Sequence, residues 1–224
     1  MRILDDIYVV PGFVNSYLIE REHHSVLIDT GMSKQAKKVI QTIKSFFPDK
    51  PLKGIIITHA HQDHIAGLET LGQLYGSTVI AHKEESDYIM KIKKMPTRDG
   101  FIGKMISFFS KLSSTSGYTV DQVVSDYEVI CGLKVFHLPG HTPGSIALED
   151  VESHALFCSD ILNTDKKGKK LLPPNKSFAL DYEKALQSSL KLLRESKPSV
   201  ILPGHGAPLF EPEEAIKEYL EEYS

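Results

Sequence analysis

Residues 58–64 read Thr-His-Ala-His-Gln-Asp-His, and no other segment constrains the fold as tightly. Four side chains able to ligate a metal, His59, His61, Asp63 and His64, lie within six residues. They follow Gly54-Ile55-Ile56-Ile57-Thr58, a short run apolar on both faces, which is the pattern of a buried interior strand. So many polar groups at the end of a hydrophobic strand are costly unless a cation compensates them. Imidazole and carboxylate are donors that zinc, iron and manganese accept. A loop leaving the strand can aim His59 and His61 to one side while Asp63 and His64 face a second centre.

The same grammar recurs downstream. His141 sits in Leu138-Pro139-Gly140-His141-Thr142-Pro143-Gly144, a strand running into a tight Pro/Gly turn. Asp160 ends the apolar strand 155–159, and His205 lies in Leu202-Pro203-Gly204-His205-Gly206 after another interior strand. Polar ligands gathered on loops at strand ends are a common way of building sites on α/β scaffolds. The other histidines read differently. His23, His24 and His154 fall in polar turns, His82 precedes a charged helix, and His137 reads as a buried, hydrogen-bonded strand residue.

Strands are expected at 7–10, 14–19, 25–28, 78–81, 129–138, 145–148, 155–158 and 200–202. Helices are expected from a Ser33 cap to Pro48, over 65–75 and 181–193, and from Pro212 onward. Lys83–Lys94 reads as a charged helix. Residues 100–112 carry Phe101, Ile102, Met105, Ile106, Phe108, Phe109 and Leu112 at helical spacing, so 83–117 reads as a helical insertion. It serves either as a small satellite core or as an apolar wall over a pocket. Nothing marks a domain boundary, so the 224 residues are read as one domain. The formal charge of −3 provides no positive field for nucleic acid or anionic membrane. Two cysteines without a metal-binding pair, and no apolar run long enough to span a bilayer, point to a cytoplasmic protein.

These residues resemble the metallo-β-lactamase-fold hydrolase superfamily. Its H-x-H-x-D-H signature stands at His59–His64, and the resemblance also takes in Leu27-Ile28-Asp29-Thr30-Gly31, Pro139–Gly144, Asp160 and Pro203–Gly206. It covers residues from about 7 to 206. The resemblance implies an α/β fold, a four-layer αββα sandwich with a binuclear site at one edge. It implies that His59, His61 and His141 hold one divalent metal ion, and Asp63, His64 and His205 a second, with Asp160 bridging. The metals would be zinc, with manganese or iron as alternatives. Asp29 would orient a ligand imidazole, with Thr58 and Thr142 as supports.

The activity implied is hydrolysis of an ester, thioester or lactone. A metal-bridging hydroxide would attack and Asp63 would move the proton, with no Ser or Cys nucleophile needed. The glyoxalase II-like and thioesterase- or lactonase-like members fit better than true β-lactamases, which generally lack the bridging aspartate. Only 19 residues follow His205, which argues against the C-terminal glutathione-gripping domain of glyoxalase II. The alternative is a mononuclear iron persulfide dioxygenase using His59, His141 and Asp160. A nucleic-acid-processing member is disfavoured by charge. The expected partner is a small-molecule substrate, and an exposed Phe108/Phe109 patch could form either a homodimer interface or a pocket wall. Lys166, Lys167, Lys169 and Lys170 form either a solvated turn or a clamp for an anionic thioester. Asp181 and Tyr182 are candidate leaving-group acids.

Overall fold

The first strands form because β-branched and aromatic residues alternate between polar turns. β1 (Ile7–Val10), β2 (Ser16–Glu20) and β3 (Ser25–Ile28) pair antiparallel in chain order. β4 (Leu52–Ile57) and β5 (Thr78–His82) then add in parallel, and β6 (Gln122–Val124) closes a six-stranded sheet in the order β1-β2-β3-β4-β5-β6. This computed structural model describes residues 1–96 and 117–224. The segment expected to carry Phe101, Phe108, Phe109 and their neighbours as a helix lies outside the described residues.

The chain divides into two compact units, one built from residues 1–95 with 117–123 and the other from 124–224. In the first unit, parallel strands require crossovers, and helices supply them. α1 (Ala36–Phe46) turns Ala36, Val39 and Ile43 inward and joins β3 to β4. α2 (Gln62–Ile65) and α3 (Leu68–Tyr75) join β4 to β5, where a single helix over 65–75 was expected. Gly67, between them, holds the chain against the residues after β3, its N–H donating to the Gly31 carbonyl at 3.1 Å. α4 (Lys83–Ile89) is shorter than the charge pattern suggested. The core of this unit gathers Leu27, Val39, Ile55, Ile57, Leu71 and Val79.

The helix start at Ser33 is corrected. α1 begins after Gln35, and the Ser33 hydroxyl donates to the Ala66 carbonyl at 3.1 Å. A serine near a helix start is free to cap another turn when tertiary structure offers one.

The second unit holds a six-stranded sheet. The expected strand 129–138 is a hairpin, β7 (Val129–Ile130) and β8 (Leu133–His137), turning through Cys131 and Gly132, both at positive φ. β9 (Ile146–Asp150) and β10 (Ala155–Ser159) continue antiparallel, and β13 (Val200–Pro203) runs parallel to β10. β14 (Leu209–Phe210) lies on the far edge, and β11 (Asn163–Thr164) with β12 (Leu171–Leu172) forms a separate ribbon. α5 (Tyr182–Glu195) and α6 (Glu213–Tyr223) cover a core of Phe136, Leu156, Leu190, Leu193, Ile201 and Tyr219. No described helix is long and apolar enough to cross a membrane.

Candidate metal centre

In the first unit the site grows from the C-terminal ends of two adjacent parallel strands. β3 ends at Ile28, and Asp29 follows with φ of 54°, a left-handed conformation uncommon outside glycine. That turn brings the carboxylate, 2% exposed, under the loop after β4. The Thr58 N–H donates to Asp29 Oδ1 at 2.9 Å and the Thr58 hydroxyl to Oδ2 at 2.7 Å. His64 Nδ1–H donates to the same Oδ2 at 2.7 Å.

These bonds set the tautomers. With its proton on Asp29, the Thr58 oxygen accepts from His59 Nδ1–H, 3.2 Å away. His59 and His64 therefore both keep their lone pair on Nε2, the atom a metal would bind. His61 Nδ1 stands 3.0 Å from His59 Nε2, and His64 Nε2 stands 3.8 Å from Asp63 Oδ2. Tetrahedral coordination with bonds of about 2.05 Å places neighbouring donors roughly 3.3 Å apart, so these separations suit shared cations.

Thr30, next to Asp29, was missed in the sequence. Its N–H and its hydroxyl both donate to the His64 carbonyl, at 2.8 Å each, which ties the start of α2 to the end of β3. Asp29 and Thr30 thus grip His64 from side chain and backbone at once.

In the second unit β10 and β13 are parallel neighbours, with Ser159 in register with Pro203. Their next residues, Asp160 and the Gly204-His205 turn, consequently leave the sheet at the same edge. The Gly204 N–H donates to the Ser159 carbonyl at 2.9 Å, and Ser159 has φ of 49°. Asp160 Oδ2 lies 3.4 Å from His141 Nε2 and 3.6 Å from His205 Nε2. One carboxylate oxygen therefore sits between two imidazoles, again at ligand–ligand spacing.

His141 is positioned from its backbone. Leu180 N–H donates to the His141 carbonyl at 3.1 Å, and Asp181 N–H to the Gly140 carbonyl at 2.9 Å. Gly140 has φ of +135°, and a Cβ there would collide with the Ala185 backbone in the first turn of α5. Thr142 supports the turn through Ser145, whose Oγ accepts its N–H at 3.0 Å and meets its hydroxyl at 2.6 Å.

The remaining candidates sort by their contacts. Asp181 caps α5, its side chain accepting the Lys184 N–H at 3.0 Å, and the Lys176 ammonium lies 5.3 Å from the Tyr182 ring centre. His82 caps α4 by accepting the Glu84 N–H at 3.3 Å. His137 ends β8 with a ring nitrogen 3.0 Å from the Pro143 carbonyl, a hydrogen-bonded strand residue as expected, but it is half-buried where full burial was expected. Burial pushes the Cys158 thiol well up, and it packs with its S–H toward the Leu162 carbonyl.

The lysines at 166, 167, 169 and 170 lie on the β11–β12 ribbon and are exposed. The ribbon is fastened to the His205 loop. The Thr164 hydroxyl donates to the Ala207 carbonyl at 2.6 Å, and Gly168 sits so close to the Pro208 carbonyl that no Cβ would fit. Asp165 closes the turn by accepting the Lys169 and Lys170 N–H groups, and these bonds hold its carboxyl below the usual range.

A model of the metallo-beta-lactamase superfamily matches residues 9–205. The chain belongs to that superfamily. The probable metallo-hydrolase YflN of Bacillus subtilis is 30% identical over 215 residues, covering 87% of this chain and 81% of that protein. The hydroxyacylglutathione hydrolase GloC of Haemophilus influenzae is 27% identical over 198 residues, covering 86% and 84%. Among solved structures, the B3 metallo-beta-lactamase BLEG-1 superposes with a TM-score of 0.73 at 21% identity, covering 97% of both chains. The fold expected from the motifs, that of the metallo-β-lactamase superfamily, is thus the fold observed. Within it, His59, His61, Asp63, His64, His141, Asp160 and His205 are imidazole and carboxylate groups that could hold metal.

Proposed function

We propose that this superfamily member is a two-metal hydrolase of an ester, thioester or lactone. As the sequence motifs imply, His59, His61 and His141 would hold one divalent ion and Asp63, His64 and His205 the other, with Asp160 shared. The observation that carries the reading is Asp160 Oδ2 standing between His141 and His205 at 3.4 and 3.6 Å, where one carboxylate serves both ions. Zinc is the metal favoured by this donor set, although manganese or iron would also bind it. Bound divalent ions would polarise the scissile carbonyl and activate a water near neutral pH.

The chain's own residues supply the rest. Asp29 and Thr58 keep His59 and His64 in the ligating tautomer. Asp63, at 22% side-chain exposure, would carry the proton toward the leaving group. The lysine ribbon, pinned beside His205, would draw an anionic thioester toward the site. Reading the shared aspartate this way separates the protein from β-lactam hydrolysis and sets it nearer the hydroxyacylglutathione hydrolases among its relatives. We place it in the cytoplasm, a reading supported by Cys131 and Cys158 forming no disulfide.

The test is metal content per chain by mass spectrometry, on protein purified without chelator or polyhistidine tag, followed by an ester, thioester and lactone panel. About two ions per chain, together with hydrolysis of at least one panel class, is the expected result. A single iron per chain, with oxygen consumed on persulfide, would replace this reading with that of an iron dioxygenase.

A further inference from the structure

Glu85 is a fully buried carboxylate, 0% exposed, on the first turn of α4. At the third helical position a glutamate ordinarily turns back to the N-cap N–H and completes a capping box. Here Oε2 accepts the Ala60 N–H at 2.8 Å. Ala60 is the residue between His59 and His61. The carboxylate therefore reaches across to the histidine loop.

The topology makes this contact the counterpart of another. β4 lies between β3 and β5 and runs parallel to both. The segment after β3 delivers Asp29 to the Thr58 N–H, and the segment after β5 delivers Glu85 to the Ala60 N–H. Alternate amides of the loop are thus held from opposite sides by two buried carboxylates. In an extended loop, fixing amides two residues apart fixes the peptide planes on either side of His59 and, with them, the direction in which His59 and His61 leave the backbone. Burying a carboxylate costs several kcal/mol unless charge or hydrogen bonds offset it. A cation held by the neighbouring histidines would provide that offset.

We infer that Glu85 is a positioning residue for the metal loop, setting the His59–His61 pair through the Ala60 amide and thereby the affinity of the ion those histidines hold. The inference rests on the two-metal reading above. Glu85 touches neither substrate nor metal in this account. Its hold on the loop is through the Ala60 N–H, so an acceptor oxygen at the right reach is what the loop requires of this position.

The experiment compares Glu85→Ala, Glu85→Asp and Glu85→Gln with the wild-type protein. Apo protein is titrated with zinc against a chromophoric chelator, and visible spectra are recorded after loading with cobalt. Glu85→Ala and Glu85→Asp are expected to weaken one zinc site ten- to hundredfold and to alter the cobalt bands. Glu85→Gln still offers an oxygen to the Ala60 N–H, so it is expected to return affinity to within about threefold of wild type and to restore the spectrum. Wild-type affinity in Glu85→Ala or Glu85→Asp overturns the inference while leaving the metal centre standing. Glu85→Gln as weak as Glu85→Ala overturns it too, because charge and not position would then be the requirement. Loss of the folded circular-dichroism spectrum in all three variants would make Glu85 a fold residue alone. If wild-type protein takes up no zinc, the two-metal reading fails and this inference with it.

Discussion

In the first unit four metal-type ligands share one loop, while in the second three come from loops after β8, β10 and β13. The two arrangements depend on the fold differently. The His59–His64 loop needs its backbone held, and buried carboxylates and hydroxyls do this: Asp29 on Thr58 and His64, Thr30 on the His64 carbonyl. The second set needs strand ends brought together. That comes from the parallel register of β10 with β13, and from the bonds of Leu180 and Asp181 to the His141 turn. A concentrated site is thus sensitive to individual side chains around it. A dispersed one is sensitive to backbone packing far from the ligands.

The largest effect should come from the one ligand that serves two histidines. Asp160→Ala is expected to reduce bound metal from about two ions per chain to one or fewer. Turnover of the best panel substrate should fall on the order of a thousandfold, equivalent to about 4 kcal/mol. Metal analysis and kinetics on one preparation check this, and two retained ions would remove Asp160 from its shared position.

Backbone dependence of the dispersed set is tested at Gly140, which touches no ligand through a side chain. A Cβ there meets the Ala185 backbone, and φ of +135° is unfavourable for any other residue. Gly140→Ala should cost about 3 kcal/mol of stability from strain and overpacking. For a chain of this size that lowers Tm by roughly 6–12 °C in thermal circular dichroism. An unchanged Tm would mean that the His141 turn is not anchored by its packing on α5.

This difference also explains what the sequence disclosed. The concentrated loop was legible because ligand spacing is local, and an apolar strand before it fixed its setting. His141 and His205 were legible because each repeats the pattern of strand, then glycine, then ligand, and Asp160 because it directly ends an apolar strand. The residues that hold them carry no such mark. Glu85 reads as an ordinary acidic first turn, and its contact with Ala60 exists only once β5 lies beside β4. Thr30 is a short hydroxyl residue whose acceptor, the His64 carbonyl, is settled by tertiary structure. Ser33 was misread for the same reason, since capping chemistry is local and Ala66 is not. The 129–138 run was read as one strand because Cys131-Gly132 interrupts it without a proline or an Asn-Gly pair.

Side-chain dependence of the concentrated set is tested at Asp29, which receives three hydrogen bonds from Thr58 and His64. Asn at this position keeps one acceptor oxygen and sets an NH2 group against donors. Asp29→Asn should therefore weaken metal binding about ten- to hundredfold by chelator competition. Its effect should fall on the ions held by His59 and His64, whose tautomers it sets. Equal affinity in the variant would show that Thr58 alone orients the loop.

The smallest effect separates the units by charge. The second unit carries Lys166, Lys167, Lys169 and Lys170 on a ribbon fastened to the His205 loop. These ammonium groups are exposed, so each is worth at most about 1 kcal/mol toward an anion and is screened by salt. Replacing all four with alanine should raise KM for an anionic thioester about three- to tenfold at low ionic strength. The difference should shrink toward nothing at high salt, and KM for a neutral ester should stay where it was. An equal rise for both substrates would mean that the ribbon shapes the site through packing on Ala207 and Pro208. In that case its charge would serve solvation, and the two units would differ in architecture but not in what they attract.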